Sequence, residues 1–252
     1  MISVTILTKN SENTLFPVLK AIRSFDEVIV LDTGSTDGTL EIASGFSNVK
    51  IRTSPFIGFG PLHNLAANHT THDWVLSLDS DEVLTEPLCQ EILALALDPN
   101  CIYSCIFHNY FNGKWIKWCG WYPDRHVRLY NRKRTSFSND RVHERILRRN
   151  MREIELKHPI EHYSYRSISD LLRKMEIYTD LFAKQNQGKK QASLSKALFH
   201  GAYAFMKSYL FQRGFIGGRE GFIISLYKGQ TAFYKYLKLW ELNRDATRSR
   251  LP

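Results

Sequence analysis

Four short β-rich runs alternate with stretches of helical spacing through the first hundred residues, and this alternation constrains the fold more than any other feature. The strand-like runs are residues 4–8, 28–31, 49–52 and 74–78, the last reading Trp-Val-Leu-Ser-Leu. Leu15, Leu19 and Ile22 recur at helical spacing after the first run, residues 40–46 follow the second, and residues 62–69 precede the fourth. Thr85 is placed to cap a further helix, with Glu86 and Pro87 in its first turn and Leu88, Ile92, Leu95 and Ala96 on its inner face. Strands and helices in this order need crossovers, and crossovers give a mostly parallel sheet flanked by helices. The expected class is α/β.

Beyond residue 100 the pattern changes. Residues 102–109 and 115–118 flank Asn112-Gly113, a hairpin signal. Residues 127–130 and 142–147 also read as strands. From Ser169 the pattern turns helical, with Leu172, Met175, Tyr178 and Phe182 as one apolar stripe, followed by helical stretches at 195–211 and 230–243. Gly214, Gly217, Gly218 and Gly221 mark a break between these last two. The expected organisation is one region at 1–165, with halves 1–100 and 101–165, and a helical, basic and aromatic extension at 166–252.

The chemistry gathers at the ends of the strands. Asp79-Ser80-Asp81-Glu82 follows the buried run 74–78 directly, and in an open parallel sheet ligands sit outside the carboxyl ends of the strands. Carboxylates at i and i+2 beside a turn can converge on one Mg²⁺ or Mn²⁺ that keeps positions for water and phosphate oxygens. Such an ion neutralises charge growing on a departing diphosphate. The first run ends in Thr8-Lys9-Asn10 and the second in Asp32, ahead of Gly34-Ser35-Thr36-Asp37-Gly38. A carboxylate at the second strand's end can accept hydrogen bonds from a nucleotide, or it can simply cap its own turn.

Residues 4–10 (Val-Thr-Ile-Leu-Thr-Lys-Asn), 27–39 (Glu-Val-Ile-Val-Leu-Asp-Thr-Gly-Ser-Thr-Asp-Gly-Thr) and 73–82 (Asp-Trp-Val-Leu-Ser-Leu-Asp-Ser-Asp-Glu) together resemble family 2 glycosyltransferases. The resemblance implies the GT-A nucleotide-sugar-binding fold and transfer with inversion at the anomeric carbon. It implies donor contacts by Thr8, Asn10, Asp32, Asp79 and Asp81, with Asp79 and Asp81 as metal ligands. Ser11 stands where a Glu is common in the family, and His63-Asn64 where Arg-Asn is frequent; His63 could still face a phosphate or lie at the surface. Trp121-Tyr122-Pro123-Asp124, His126-Val127-Arg128-Leu129-Tyr130, Val142-His143-Glu144 and the glycine-rich stretch 214–222 resemble the branch that includes lipopolysaccharide core β-glucosyltransferases acting on heptose. That branch implies UDP-glucose as donor and a lipid-linked, anionic glycan as acceptor. Inverting transfer needs a carboxylate to take the hydroxyl proton, and by resemblance Glu144 fills that role, with Asp140 and Asp124 in reserve. Arg125 and Arg128 are candidate clamps for a diphosphate or an acceptor phosphate.

Charge divides the chain in two. Residues 1–100 hold 5 basic and 13 acidic groups, and residues 101–252 hold 29 and 12. The acidic half suits a cation, while the basic half suits nucleic acid, anionic lipid or a phosphorylated glycan. A nucleic-acid-binding protein is the alternative from another class, but the chain has no motif for one and its acidic half would repel phosphate backbones. A transferase for another surface glycan and a non-enzymatic membrane-binding protein are further alternatives. Cys89, Cys101, Cys105 and Cys119 form no metal-site spacing and read as reduced, structural thiols. With no secretory signal or membrane-spanning run in the reading, the expected location is cytoplasmic, peripheral on the inner face of the membrane.

Overall fold

The computed structural model describes residues 1–141 and 144–248. They form two compact units: Met1–His108 with Asp124–Tyr163, and Asn109–Pro123 with Ser164–Pro252. Segment 109–123, which the composition shift near 165 grouped with the first region, lies in the second unit.

The first unit is built on a sheet. Its parallel half consists of β1 (Ile2–Thr8), β2 (Glu27–Asp32), β3 (Val49–Thr53) and β4 (Trp74–Asp79), in the order β3-β2-β1-β4. All six residues of β2, and six of the seven in β1, are buried, as expected for central strands covered on both faces. Helices α1 (Leu15–Ala21), α2 (Thr39–Ser44) and α3 (Phe59–Asn68) make the crossovers. The chain runs outward from β1 through β2 to β3, then returns to β4 on the other side of β1. The carboxyl ends of β1 and β4 therefore flank a topological switch point, where such sheets leave a crevice. Beyond β4 the sheet continues with β5 (Glu82–Leu84), β6 (Cys101–Phe111), β8 (Arg125–Asn131) and β9 (Arg152–Tyr165), and α4 (Glu86–Leu93) follows β5. The strand β7 (Lys114–Trp115) pairs with β6 through the expected turn, with Asn112 at φ 49° and Gly113 at φ 74°.

Two expectations for this region need correction. Residues 144–147 form no strand and contribute only an isolated bridge between Phe137 and Ile146; Val142 and His143 lie outside the described residues. The strand that does complete the sheet, β9, lies outside the runs read as strands: Ile154, Leu156 and Ile160 alternate with charged residues, but His158-Pro159 breaks the apolar series.

Three helices dominate the second unit: α5 (Ile168–Asn186), α6 (Leu194–Met206) and α7 (Gly218–Arg248). A π-helical turn, Lys207–Phe211, continues α6, and a 3-10 turn, Gly214–Gly217, precedes α7. The glycine-rich break is thus confined to the 3-10 turn, and α7 runs through Gly221 and Gly229. The apolar stripe expected on α5 is also displaced. Leu171, Thr179 and Ala183 are buried, whereas Leu172 and Tyr178 are exposed. Apolar side chains left in solvent blur a periodicity reading, and they recur throughout this unit.

Glu27 ties the amino ends of the parallel strands together. Its buried carboxylate accepts from Ser3 Oγ of β1 at 2.5 Å, Lys50 Nζ of β3 at 2.9 Å, and the backbone N of Thr71 at 2.7 Å. Burial alone would raise its pKa, but the donors from Ser3, Thr71 and Lys50 outweigh it and pull the value from the ordinary 4.5 to about 2. A folded-state pKa below the unfolded one gives stability that is present above about pH 4.5 and lost as the pH falls toward 2. Glu27→Gln is expected to lower stability at neutral pH by roughly 3 kcal/mol. In urea unfolding, the wild-type advantage over this variant should shrink as the pH drops below about 4.5.

Candidate active site

The three polar strand ends named from the sequence lie side by side. Thr8 is in register with Asp32, and Leu7 with Asp79. Thr8 Oγ1 is buried without a hydrogen-bond partner, while its carbonyl accepts from the backbone N of Thr33 at 3.0 Å. Asp32 accepts from the backbone N of Gly34 and of Ser35, each at 2.9 Å, and from the Ser35 hydroxyl. Its carboxylate thus shapes the turn that follows β2. Asn10, at φ 52°, locks onto the same turn: its backbone N donates to Ser35 Oγ and its Oδ1 accepts from the backbone N of Thr36, both at 2.8 Å. Across the switch point, Ser11 Oγ and Ser80 Oγ are 2.8 Å apart, so the β1 and β4 loops meet where the family pattern has a longer acid.

The acidic end of β4 separates into two pairs. Arg128, on β8, places Nη2 at 3.2 Å from Asp79 Oδ2 and bonds Glu82 Oε1 as well. The other Glu82 oxygen accepts from the backbone N of Asp79 at 3.1 Å. Burial raises the pKa of Glu82, only partly countered by Arg128, and with Asp79 close by it is pushed up to about 7. The same surroundings penalise charge on Asp79, but Arg128 outweighs them and holds its carboxyl well below the usual range. Asp81 faces elsewhere. Its Oδ1 lies 3.5 Å from His162 Nε2 on β9, and its carbonyl accepts from the backbone N of Tyr163 at 3.0 Å. Burial disfavours the His162 cation, yet its hydrogen bond to Asp81 and the nearby carboxylates raise its pKa.

This arrangement tests the fit of a divalent cation. Adjacent ligands in an octahedral shell, each at about 2.1 Å, stand about 3.0 Å apart, close to the Asp81–His162 spacing of 3.5 Å. No cluster of three or more metal-ligating side chains occurs among the described residues. Asp81, with His162 once it gives up the proton that its neighbours favour, suits two positions of a divalent cation whose others go to water and phosphate oxygens. Asp79, expected as the companion ligand, meets Arg128 through Oδ2 and has its side chain 43% exposed.

Arg128 also lines a cavity of about 470 Å³ with Arg125, His126, Phe137, Glu144, Arg145 and Arg148. The wall carrying Glu144 is fastened to α3. The backbone N of Phe59 and of Gly60 donate to the carbonyls of Arg141 and Asp140, at 3.1 and 3.2 Å. A Cβ on Gly60 would stand 2.0 Å from the Ser138 carbonyl oxygen, so only glycine admits this approach. Asn64 brackets the Phe137 backbone, accepting from its N at 2.9 Å and donating to its O at 3.1 Å. His63 is buried, stacked on Phe137 with ring centroids 4.2 Å apart, with Nδ1 3.1 Å from Ser77 Oγ and Nε2 3.9 Å from Glu144 Oε1. It is therefore not a surface residue, and burial pulls its pKa to about 4, leaving it neutral at physiological pH.

The reserve acids border this group. Asp124 pairs with His126 at 2.9 Å, and Asp140 is exposed. Arg125 pairs with Glu155 at 3.3 Å. Sequence reading gave no role to Glu82, His162, Phe137, Arg145 or Arg148. The histidine was findable only as the partner of β5 across β9, where Glu82 and His162 are in register.

Residues 3–154 match the model of "Glycosyl transferase family 2". An uncharacterized glycosyltransferase of Rickettsia typhi is 30% identical over 99% of this chain and 89% of its own. A lipopolysaccharide core biosynthesis glycosyltransferase of Rhizobium meliloti, LpsC, is 23% identical over 99% of this chain and 94% of its own. Among solved structures, residues 1–349 of S. aureus TarS in complex with UDP align over 99% of this chain and 92% of that one, at 15% identity and a TM-score of 0.46. The strand order, the acids at the switch point and the family match lead to one conclusion: the fold is of the GT-A type, and the chain belongs to glycosyl transferase family 2.

Proposed function

We propose that this protein transfers glucose from UDP-glucose, with inversion, onto a lipid-linked anionic glycan of the lipopolysaccharide inner-core kind. The observation that carries this reading is Arg128, which holds the acids at the end of β4 and lines the cavity that contains Glu144. In this reading the donor diphosphate lies at the crevice between β1 and β4, and the acceptor hydroxyl enters the cavity. Glu144 takes its proton as the hydroxyl oxygen attacks the anomeric carbon from the face opposite the leaving diphosphate. Neutral His63, 3.9 Å behind it, leaves that carboxylate basic, because a cation there would stabilise the charge and weaken the base. Arg125, Arg145 and Arg148 supply positive charge for an anionic acceptor, and LpsC, whose name places it in lipopolysaccharide core biosynthesis, supports that acceptor class. Asp81 and His162 would hold Mg²⁺ or Mn²⁺, which when bound offsets the charge on the departing diphosphate.

The second unit supports docking on an anionic membrane from the cytoplasmic side. No helix among the described residues is long and apolar enough to cross a bilayer. Yet Leu198, Phe199, Tyr203, Met206, Leu210, Phe211, Phe215, Ile216 and Phe222 are all exposed, close in sequence to Lys196, Lys207, Arg213 and Arg219. Apolar and aromatic side chains with flanking cations are what an interfacial segment requires. The four buried free cysteines suit a reducing compartment.

Three outcomes are expected. Asp81→Asn and excess EDTA should each cut turnover roughly 100-fold or more, a loss of about 3 kcal/mol of transition-state stabilisation; full turnover in EDTA would remove the metal from the account. Glu144→Gln should keep UDP-glucose affinity, measured by titration calorimetry, while transfer falls roughly 10²–10⁴-fold. A normal rate in that variant, with Asp140→Asn inactive, would move the base to Asp140. In flotation assays the protein should rise with anionic vesicles at low salt, stay behind with neutral ones, and be released by high salt, each interfacial cation contributing about 1 kcal/mol.

A further inference from the structure

A second cavity lies wholly within the helical unit. It measures about 270 Å³, the space of roughly nine waters at about 30 Å³ each, and no carboxylate lines it. Three lysines do: Lys207 from the π-helical turn, and Lys228 and Lys235 from α7, with Gln212, Tyr227 and Thr231 between them. Among the described residues, none of these three lysines has a carboxylate oxygen within 4.0 Å, although Lys114 and Lys238 of the same unit are ion-paired. The local fold assembles the cluster. The backbone N of Gln212 bonds the carbonyl of Lys207, five residues back, at 2.9 Å, and Arg213 then leaves the helix at φ 56°. This wide turn brings both Lys207 and Gln212 to the cavity wall, a kind of irregularity frequent at functional sites.

Lys228 shows that the cluster lacks a counterion. Its ammonium donates to two neutral acceptors, the Cys119 carbonyl and, at 3.4 Å, Gln212 Oε1. Three N–H groups are available, so one remains for a ligand. Burial, together with Lys207 nearby, lowers its pKa, as expected for a desolvated cation beside a like charge. Lys235 is lowered in the same way, by burial and by Lys190. Residues 181–240 carry ten basic groups against the single acid Glu220, so no carboxylate within this stretch is spare to neutralise them. A multiply charged anion with several acceptor oxygens meets these demands, and phosphate is the group that lysine binds as a point charge.

We propose that the Lys207–Lys228–Lys235 cavity is a phosphate-binding site of the helical unit, taking the phosphate group of an anionic amphiphile whose apolar part meets the exposed side chains of α6 and the π-helical turn. The site is distinct from the donor crevice, and it rests on the membrane reading above only for the source of the phosphate.

The test compares vesicles of phosphatidylcholine carrying phosphatidate with vesicles brought to the same surface charge by oleate, using the full chain. The wild type should bind the phosphatidate vesicles about tenfold more tightly. Lys207→Gln/Lys235→Gln should lose that preference, whereas Lys184→Gln/Lys189→Gln, which removes equal charge from exposed positions, should keep it. Both pairs leave Lys228 and its hydrogen bonds intact, and circular dichroism verifies their folding. Inorganic phosphate forms the second arm. Displacement of the wild type from vesicles by phosphate, beyond that caused by sodium chloride of equal ionic strength, assigns the site to free phosphate as well as to the lipid. Equal affinity for both vesicle types, equal losses in both double variants and no effect of inorganic phosphate would overturn the site. UDP-glucose titration of the same variants should stay at the wild-type value, which keeps failure here separate from failure of the donor reading.

Discussion

The guanidinium of Arg128, only 13% exposed, lies against Asp79 and Glu82 at the end of β4, and the arrangement of the acidic crevice depends on it. Two carboxylates three residues apart in a desolvated place cannot both ionise at modest cost without a cation. Arg128 comes from β8, which pairs antiparallel with β4, so the sheet register delivers the charge that the motif needs. Removing one partner of such a buried group leaves the remaining charges uncompensated, which costs far more than the pair itself contributes. The consequence for chemistry is a division of labour: Asp79 is taken up by Arg128, and Asp81 turns toward His162.

A second constraint operates at the opposite wall. Glu144 follows a segment anchored on α3 by Gly60, by Asn64 and by the stacking of His63 on Phe137. The pair His63-Asn64, read from sequence as a departure from the family pattern, thus acts here through packing and backbone hydrogen bonds. Arg128 joins this wall to the acids of β4, since it lines the cavity that Glu144 faces. These contacts are steric and hydrogen-bonded, so they fix the course of the backbone that leads to Glu144.

The parallel half of the fold was legible because its strands are fully buried and end in residues of distinct chemistry. Thr8, Asp32 and Asp79 could be located at the carboxyl edge before any coordinates. What sequence could not show were the partners that arrive from distant strands. His162 sits on β9, whose apolar series is broken at His158-Pro159, and its position beside the acids depends on the register with Glu82. Nor does the motif 79–82 show Arg128, which reaches Asp79 from 49 residues away along the chain. In the helical unit the periodicity rule misled for a physical reason. It assigns apolar residues to the interior, and on α5 Leu172 and Tyr178 lie in solvent.

One unit carries exposed apolar side chains and lysines without carboxylate partners, and the other carries a carboxylate-rich crevice, so the charges of the two units suit different ligands. The central claim is sugar transfer from a nucleotide donor at the β1–β4 crevice. Phosphorus and proton NMR of the protein incubated with UDP-glucose, a divalent cation and a lipid-linked core glycan test it most directly. The account predicts UDP formed in step with a product whose proton coupling shows the β-anomer. Release of pyrophosphate, or a product that keeps the α-configuration of the donor, would contradict it.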